Sequence, residues 1–186
     1  KNKDNILEKN KDNIPKKIEY LSNYILPYIE MKNLLSKITT KLYIGWIDLP
    51  RYEKIVKGSI KLFLLDNNSV IKTYLISSSK YGEGSKVNSF KTPLGKHVVK
   101  RKIGKDMPLG ARFIGRSFSG EIYPIYDSDQ VLVEDDVVQS RILWLDGLED
   151  GINKGEGVDS YSRYIYIHGT PEEWLLGKKA SKGCIR

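Results

Sequence analysis

Cys184 is the only cysteine in this chain of 186 residues, and His168, one of two histidines, stands sixteen positions before it. Together these residue types can do nucleophilic chemistry. The thiolate is the attacking form, and at an unperturbed pKa of about 8.5 only a few per cent of a thiol is ionised at neutral pH. A neighbouring imidazolium raises that fraction, and the neutral ring can then activate a second substrate. Gly183 allows close backbone approach, and the amides of Gly183 and Cys184 are candidate donors to an oxyanion. The competing reading is a small buried thiol with an unrelated histidine, and spacing alone leaves both open. A lone cysteine excludes a disulfide within the chain. One cysteine and two histidines argue against a structural zinc site, so neither a metal nor a cofactor is expected.

The elements that must position this pair are legible nearby. Arg163-Tyr164-Ile165-Tyr166-Ile167-His168 alternates, which predicts a strand with Tyr164, Tyr166 and His168 on one face. Ile165 and Ile167 take the other. Thr170-Pro171-Glu172-Glu173 reads as a capping box, with Thr170 as N-cap, Pro171 at N1 and Glu173 at N3. A short helix through Trp174–Leu176 should end near Gly177. Returning through residues 178–182, the chain can bring the sulfur of Cys184 near hydrogen-bond distance of His168. If that return is extended, Lys182 shares a face with Cys184, and its ammonium favours the thiolate.

Upstream, residues 59–65 and 70–77 are apolar, β-branched and aromatic around Asp66-Asn67-Asn68-Ser69, a hairpin signature. Further short strands are expected at 97–100, 130–133, 141–145 and 163–167. Many short strands and few helical runs point to a mainly β domain, a sandwich or barrel-like fold with short helices. That domain is expected to span residues 42–186. Residues 1–41 read as a polar tail and an amphipathic helical segment, with Ile14, Ile18, Leu21 and Ile25, then Met31, Leu34, Leu35 and Ile38, at helical spacing. Such a segment docks on its own domain or on a partner. Gly82-Glu83-Gly84 and Gly155-Glu156-Gly157 read as turns, Glu134-Asp135-Asp136 as a solvated acidic turn, and His97 as structural.

The net charge is +8, from 31 basic and 23 acidic residues. It favours an anionic partner, whether nucleic acid, membrane surface or acidic polymer, although a lysine-rich surface has the same composition. Neither an aromatic-plus-arginine stripe nor zinc-finger spacing supports nucleic acid. The longest apolar runs, LFLL and YIYI, are too short to cross a bilayer, and no signal peptide is visible.

The wording of the stretch is more specific than its spacing. His168-Gly169, followed by Ser181-Lys182-Gly183-Cys184-Ile185-Arg186, closely resembles the active-site signature of the L,D-transpeptidases of the YkuD family. Thr92-Pro93-Leu94-Gly95 is similar to that family's TPxG turn, and the resemblance covers roughly residues 42–186. It implies a mainly β, cell-envelope enzyme of the periplasm or cell wall, acting on peptidoglycan stem peptides. Cys184 is then the nucleophile, His168 the base, and the Gly169 carbonyl the group that orients it. Ser181 and Gly183 shape the nucleophile loop, while Arg186 and Tyr166 are candidate substrate contacts, Arg186 alternatively holding the loop. Two departures stand out. The family usually has histidine at the position of Lys182, and its domain usually continues past the arginine, so an unpaired sheet edge or apolar patch is expected beside the nucleophile loop. A catalytically weak wall-binding domain and a basic nucleic-acid-binding protein are the alternatives.

Overall fold

The computed structural model describes residues 41–44, 60–66, 69–128, 130–133 and 135–186, and the expected helical segment at 14–38 lies outside them. Among the described residues the strands are β1 (Lys41–Ile44), β2 (Lys61–Asp66), β3 (Ser69–Leu75), β4 (Ser78–Ser79), β5 (Gly95–Ile103), β6 (Ala111–Ile114), β7 (Ser117–Ile122), β8 (Val138–Gly147), β9 (Tyr166–Gly169) and β10 (Lys179–Ser181). The fold is mainly β. One sheet has the order β1-β5-β8-β6-β7, with β9 also paired to β8. The antiparallel hairpin β2-β3 forms where the turn residues predicted it. β4 and β10 pair in parallel.

β8 organises the sheet because it is apolar on both faces, the pattern of a strand covered on both sides. Ile142 and Trp144 join Ala111, Phe113 and Tyr166 in one buried cluster. Leu145 joins Ile165 and Ile185 in another. Burying each of the leucine, isoleucine and phenylalanine side chains among them stabilises the fold by about 1.5–3 kcal/mol. β8 also carries a bulge between Gln139 and Ile142, where Ser140 takes a φ of 64°. The extra residue re-aims the start of the strand, so that Gln139 pairs both with Arg112 of β6 and with Gly169 of β9.

Three expectations are corrected. Residues 130–133 form no strand. The strand expected from Arg163 begins only at Tyr166, because Tyr164 adopts a left-handed φ of 58° in a turn. The expected helix is a single 3-10 turn, Glu173–Leu175, capped by Glu172 rather than Thr170. The Thr170 hydroxyl accepts instead from the Glu172 amide at 3.2 Å, and the glutamate side chains serve elsewhere. His97 is structural, as its sequence context suggests. Fully buried, it hydrogen-bonds the Gly95 carbonyl and the Ser160 hydroxyl, each at 2.9 Å, tying β5 to the loop before β9.

Candidate active site

The segment that carries Cys184 is held from both sides. Ile185 donates to the Tyr166 carbonyl at 2.9 Å and accepts from the His168 amide at 3.0 Å. Arg186 exchanges two backbone hydrogen bonds of 2.8 Å with Ser77. Of the expected unpaired edge or apolar patch, the edge is absent at residues 185–186, because β9 and the chain after β3 flank them.

Ile167 and Ile185 form a parallel bridge, and opposite residues in such a pair share a face. Cys184 and Arg186 thus lie on the face of Tyr166 and His168. Packing agrees, since Cys184 sits against the Trp144–Tyr166 cluster while Ile185 enters the other. The thiol and the imidazole are same-face, diagonal neighbours.

The sulfur does not hydrogen-bond the imidazole. It accepts from the Tyr166 amide at 3.4 Å and donates to the Tyr164 carbonyl at 3.5 Å. The imidazole meets the Gly169 carbonyl through Nδ1 at 2.7 Å. A carbonyl can only accept, so Nδ1 carries the proton and Nε2 presents the lone pair of a base. Any residue could supply that carbonyl, but only glycine fits at position 169 without a neighbour shifting. A Cβ there would come within 2.9 Å of the Gln139 carbonyl at the β8 bulge.

Electrostatics make the resting pair neutral. Cys184 is half-buried, but protein atoms crowd its sulfur, and this desolvation pushes the thiol up to about 12. The Asp136 carboxylate pushes the same way, against the Tyr166 amide, Arg163 and Arg186. Burial lowers the His168 pKa, with Asp136 and the Gly169 carbonyl opposing and Arg186 assisting. A standing thiolate–imidazolium pair is therefore replaced by thiol and imidazole. The premise that would set Lys182 beside the sulfur does not hold. The loop is not extended there, since Gly183 has a φ of +125°, and the lysine side chain is exposed.

The loop's backbone is almost fully engaged. The Lys182 amide donates to Asp136 at 2.7 Å, and the Gly183 amide to the Ser181 hydroxyl at 3.3 Å. Ser181, fully buried, in turn donates to the Cys184 carbonyl at 2.6 Å. Among the described residues only the Cys184 amide is left without a partner in the 182–186 segment. Of the two expected oxyanion donors, Gly183 is therefore committed and Cys184 is available.

Thr92, Asp136 and Glu172 complete the site, and none was assigned a part in it by sequence reasoning. Thr92 is buried; its hydroxyl accepts from the Ser79 amide at 3.0 Å and donates to the Gly183 carbonyl at 2.9 Å. In a trans peptide the carbonyl and the following N–H point in opposite directions, so clamping Gly183 aims the Cys184 amide. Only the TPxG motif marked that residue. Asp136, expected in a solvated turn, has a side chain only 18% exposed and lies 3.4 Å from the Arg186 guanidinium. Glu172 binds the same Nη1 at 2.6 Å, with the Thr170 hydroxyl at 3.3 Å. The Arg186 side chain, 2% exposed, faces these groups rather than solvent. Tyr166 extends its hydroxyl to Arg116 at 3.4 Å.

The chain matches the family model for the L,D-transpeptidase catalytic domain (YkuD) over residues 47–186. It has no significant match among curated proteins or among solved structures.

Proposed function

The chain belongs to the L,D-transpeptidase catalytic-domain family, and on that premise we propose that it transfers acyl groups between peptidoglycan stem peptides in the cell envelope, with Cys184 as nucleophile and His168 as base. The observation that carries this reading is the shared face of Cys184 and His168 across the Ile167–Ile185 bridge, beside an amide left without a partner among the described residues.

With a stem tetrapeptide seated, the thiol proton passes to His168 Nε2 as the sulfur attacks the carbonyl on the L-centre of the diamino acid. The Cys184 amide receives the developing oxyanion. Collapse breaks the C–N bond, and the imidazolium returns its proton to the departing D-alanine amine. A thioester remains. The amine of a second stem, deprotonated by His168, resolves it to a 3→3 crosslink, or water resolves it in a carboxypeptidase reaction. Because the resting pair is neutral, the thiol proton must move to His168 before or during attack. The charge of +8 suits an anionic wall polymer. The β-sandwich domain of residues 42–186 belongs to the same reading.

One observation favours a second reading. The sulfur's two hydrogen-bond partners are both backbone, and its thiol is held protonated, as in a wall-binding domain of little activity. Mass spectrometry after incubation with a carbapenem separates the two. A covalent adduct on Cys184, with D-alanine release from purified stems, supports the enzyme. An unmodified thiol and intact stems would leave only the binding domain.

A further inference from the structure

Two residues other than glycine hold left-handed backbone at the aromatic wall that carries the sulfur, and their side chains meet. Arg116, with φ 72°, follows Gly115, with φ 55°, in the two-residue turn between β6 and β7. Tyr164, with φ 58°, sits in the turn before β9. A hairpin turn with two positive φ angles takes Asn or Gly most readily, because an L side chain crowds its own carbonyl in that region. Arginine there is a local conflict, and such conflicts concentrate at functional sites.

The guanidinium lies 4.8 Å from the Tyr164 ring and 5.1 Å from that of Trp144. Its Nη1 reaches the Tyr166 hydroxyl at 3.4 Å. Trp144 stacks on Tyr161 with centroids 4.1 Å apart and meets Tyr166 edge-on at 5.6 Å, so the wall that orients Arg116 is itself packed. Arg101, exposed and 5.7 Å over Trp144, meets neither Tyr164 nor Tyr166 among the described residues, and three other arginines are committed. Arg112 has Glu121, Arg186 has Glu172, and Arg163 donates to the Gly84 and Lys91 carbonyls. Arg116, half-buried, has no carboxylate partner among the described residues and keeps most of its five donors. The same wall carries the nucleophile, through the Tyr164 carbonyl and the Tyr166 amide. The cation meets the far end of Tyr166 and the sulfur meets its backbone, so about one tyrosine side chain separates them.

We propose that Arg116 determines specificity by binding a carboxylate of the stem peptide beside the scissile carbonyl; this rests on the transpeptidase reading above. A planar guanidinium held against aromatic faces presents a fixed fork, which pairs with a carboxylate through two parallel N–H donors. The carboxylate belongs either to the terminal D-residue or to the free end of the diamino acid.

The test is binding of synthetic tetrapeptide stems to the Cys184→Ala chain, which cannot turn them over, by calorimetry. Four stems are compared: both carboxylates free, the terminal one amidated, the side-chain one amidated, and both amidated. Arg116→Asn should raise Tm, since Asn suits the turn, while weakening the free stem about tenfold or more. Arg116→Lys should fall between the parent and Arg116→Asn. Amidating the recognised carboxylate should weaken the parent equally and leave Arg116→Asn unaffected, which identifies the source. Unchanged affinity of Arg116→Asn for the free stem, or an equal loss for all four stems, would overturn the proposal. D-Alanine release by the parent distinguishes the failures. Turnover with an indifferent Arg116 sinks this inference alone, whereas neither turnover nor binding of any stem sinks the transpeptidase reading and this with it.

Discussion

The hydroxyl of Thr92 donates to the carbonyl of Gly183 at 2.9 Å, joining the turn before β5 to the nucleophile loop ninety-one residues later. Thr92→Val keeps the shape and removes the hydroxyl, leaving the Ser79 amide and the Gly183 carbonyl short of a partner. The expected cost is about 1–3 kcal/mol of stability. Acylation of Cys184 by a β-lactam should slow about tenfold to a hundredfold, less than outright loss of an oxyanion donor. Thr92→Ser should restore both. Stopped-flow acylation and chemical denaturation measure them, and a Thr92→Val chain as fast and stable as the parent removes the clamp from the mechanism.

Asp136 and the thiol form the next prediction. The carboxylate raises the Cys184 pKa and supports the protonated form of His168. Asp136→Asn should therefore shift iodoacetamide alkylation of Cys184 to lower pH, while slowing turnover because the imidazolium loses its counter-charge. Lys182→Ala should give a profile superimposable on the parent, since that side chain faces solvent. A parent profile that levels off near neutral pH would contradict a thiol pushed up to about 12.

Arg186 neutralises Glu172 and Asp136 in a nearly dry setting. Removing one partner of a buried ion pair strands the rest, at a cost of about 3–5 kcal/mol. Arg186→Met should unfold at correspondingly lower urea. Adding Glu172→Gln to it should recover part of the loss, since one stranded charge goes. Additive losses in the double-mutant cycle would show that the pair is not coupled.

Acid should destabilise the fold through its two histidines. Burial lowers both pKa values below the ordinary 6.5. The unfolded chain then binds protons at these rings before the folded chain does, so their stabilisation is complete above about pH 6.5 and shrinks as pH falls below it. Urea midpoints at pH 8 and pH 5 should differ in that direction. His97→Gln should flatten the slope, whatever it costs at pH 8, and an unchanged slope would remove His97 from the account.

What the sequence by itself determined is local and periodic. Residues 66–69 announced the β2-β3 hairpin because turn chemistry is written in adjacent residues. The alternation from Ile165 to His168 put Ile165 and Ile167 on one side and Tyr166 on the other, as their packing shows. The motifs around His168 and Cys184 carried the family, which the match over residues 47–186 establishes. Tertiary structure decided the rest. Tyr164 left the expected strand because its turn imposes a left-handed φ. Asp136 read as surface because its acidic neighbours look solvated, and only the folded chain brings the Lys182 amide and Arg186 to it. The thiol's protonation followed the same rule. It depends on desolvation and on charges from residues 136, 163 and 186, which no spacing encodes, because electrostatic energy depends on distances through the fold rather than along the chain.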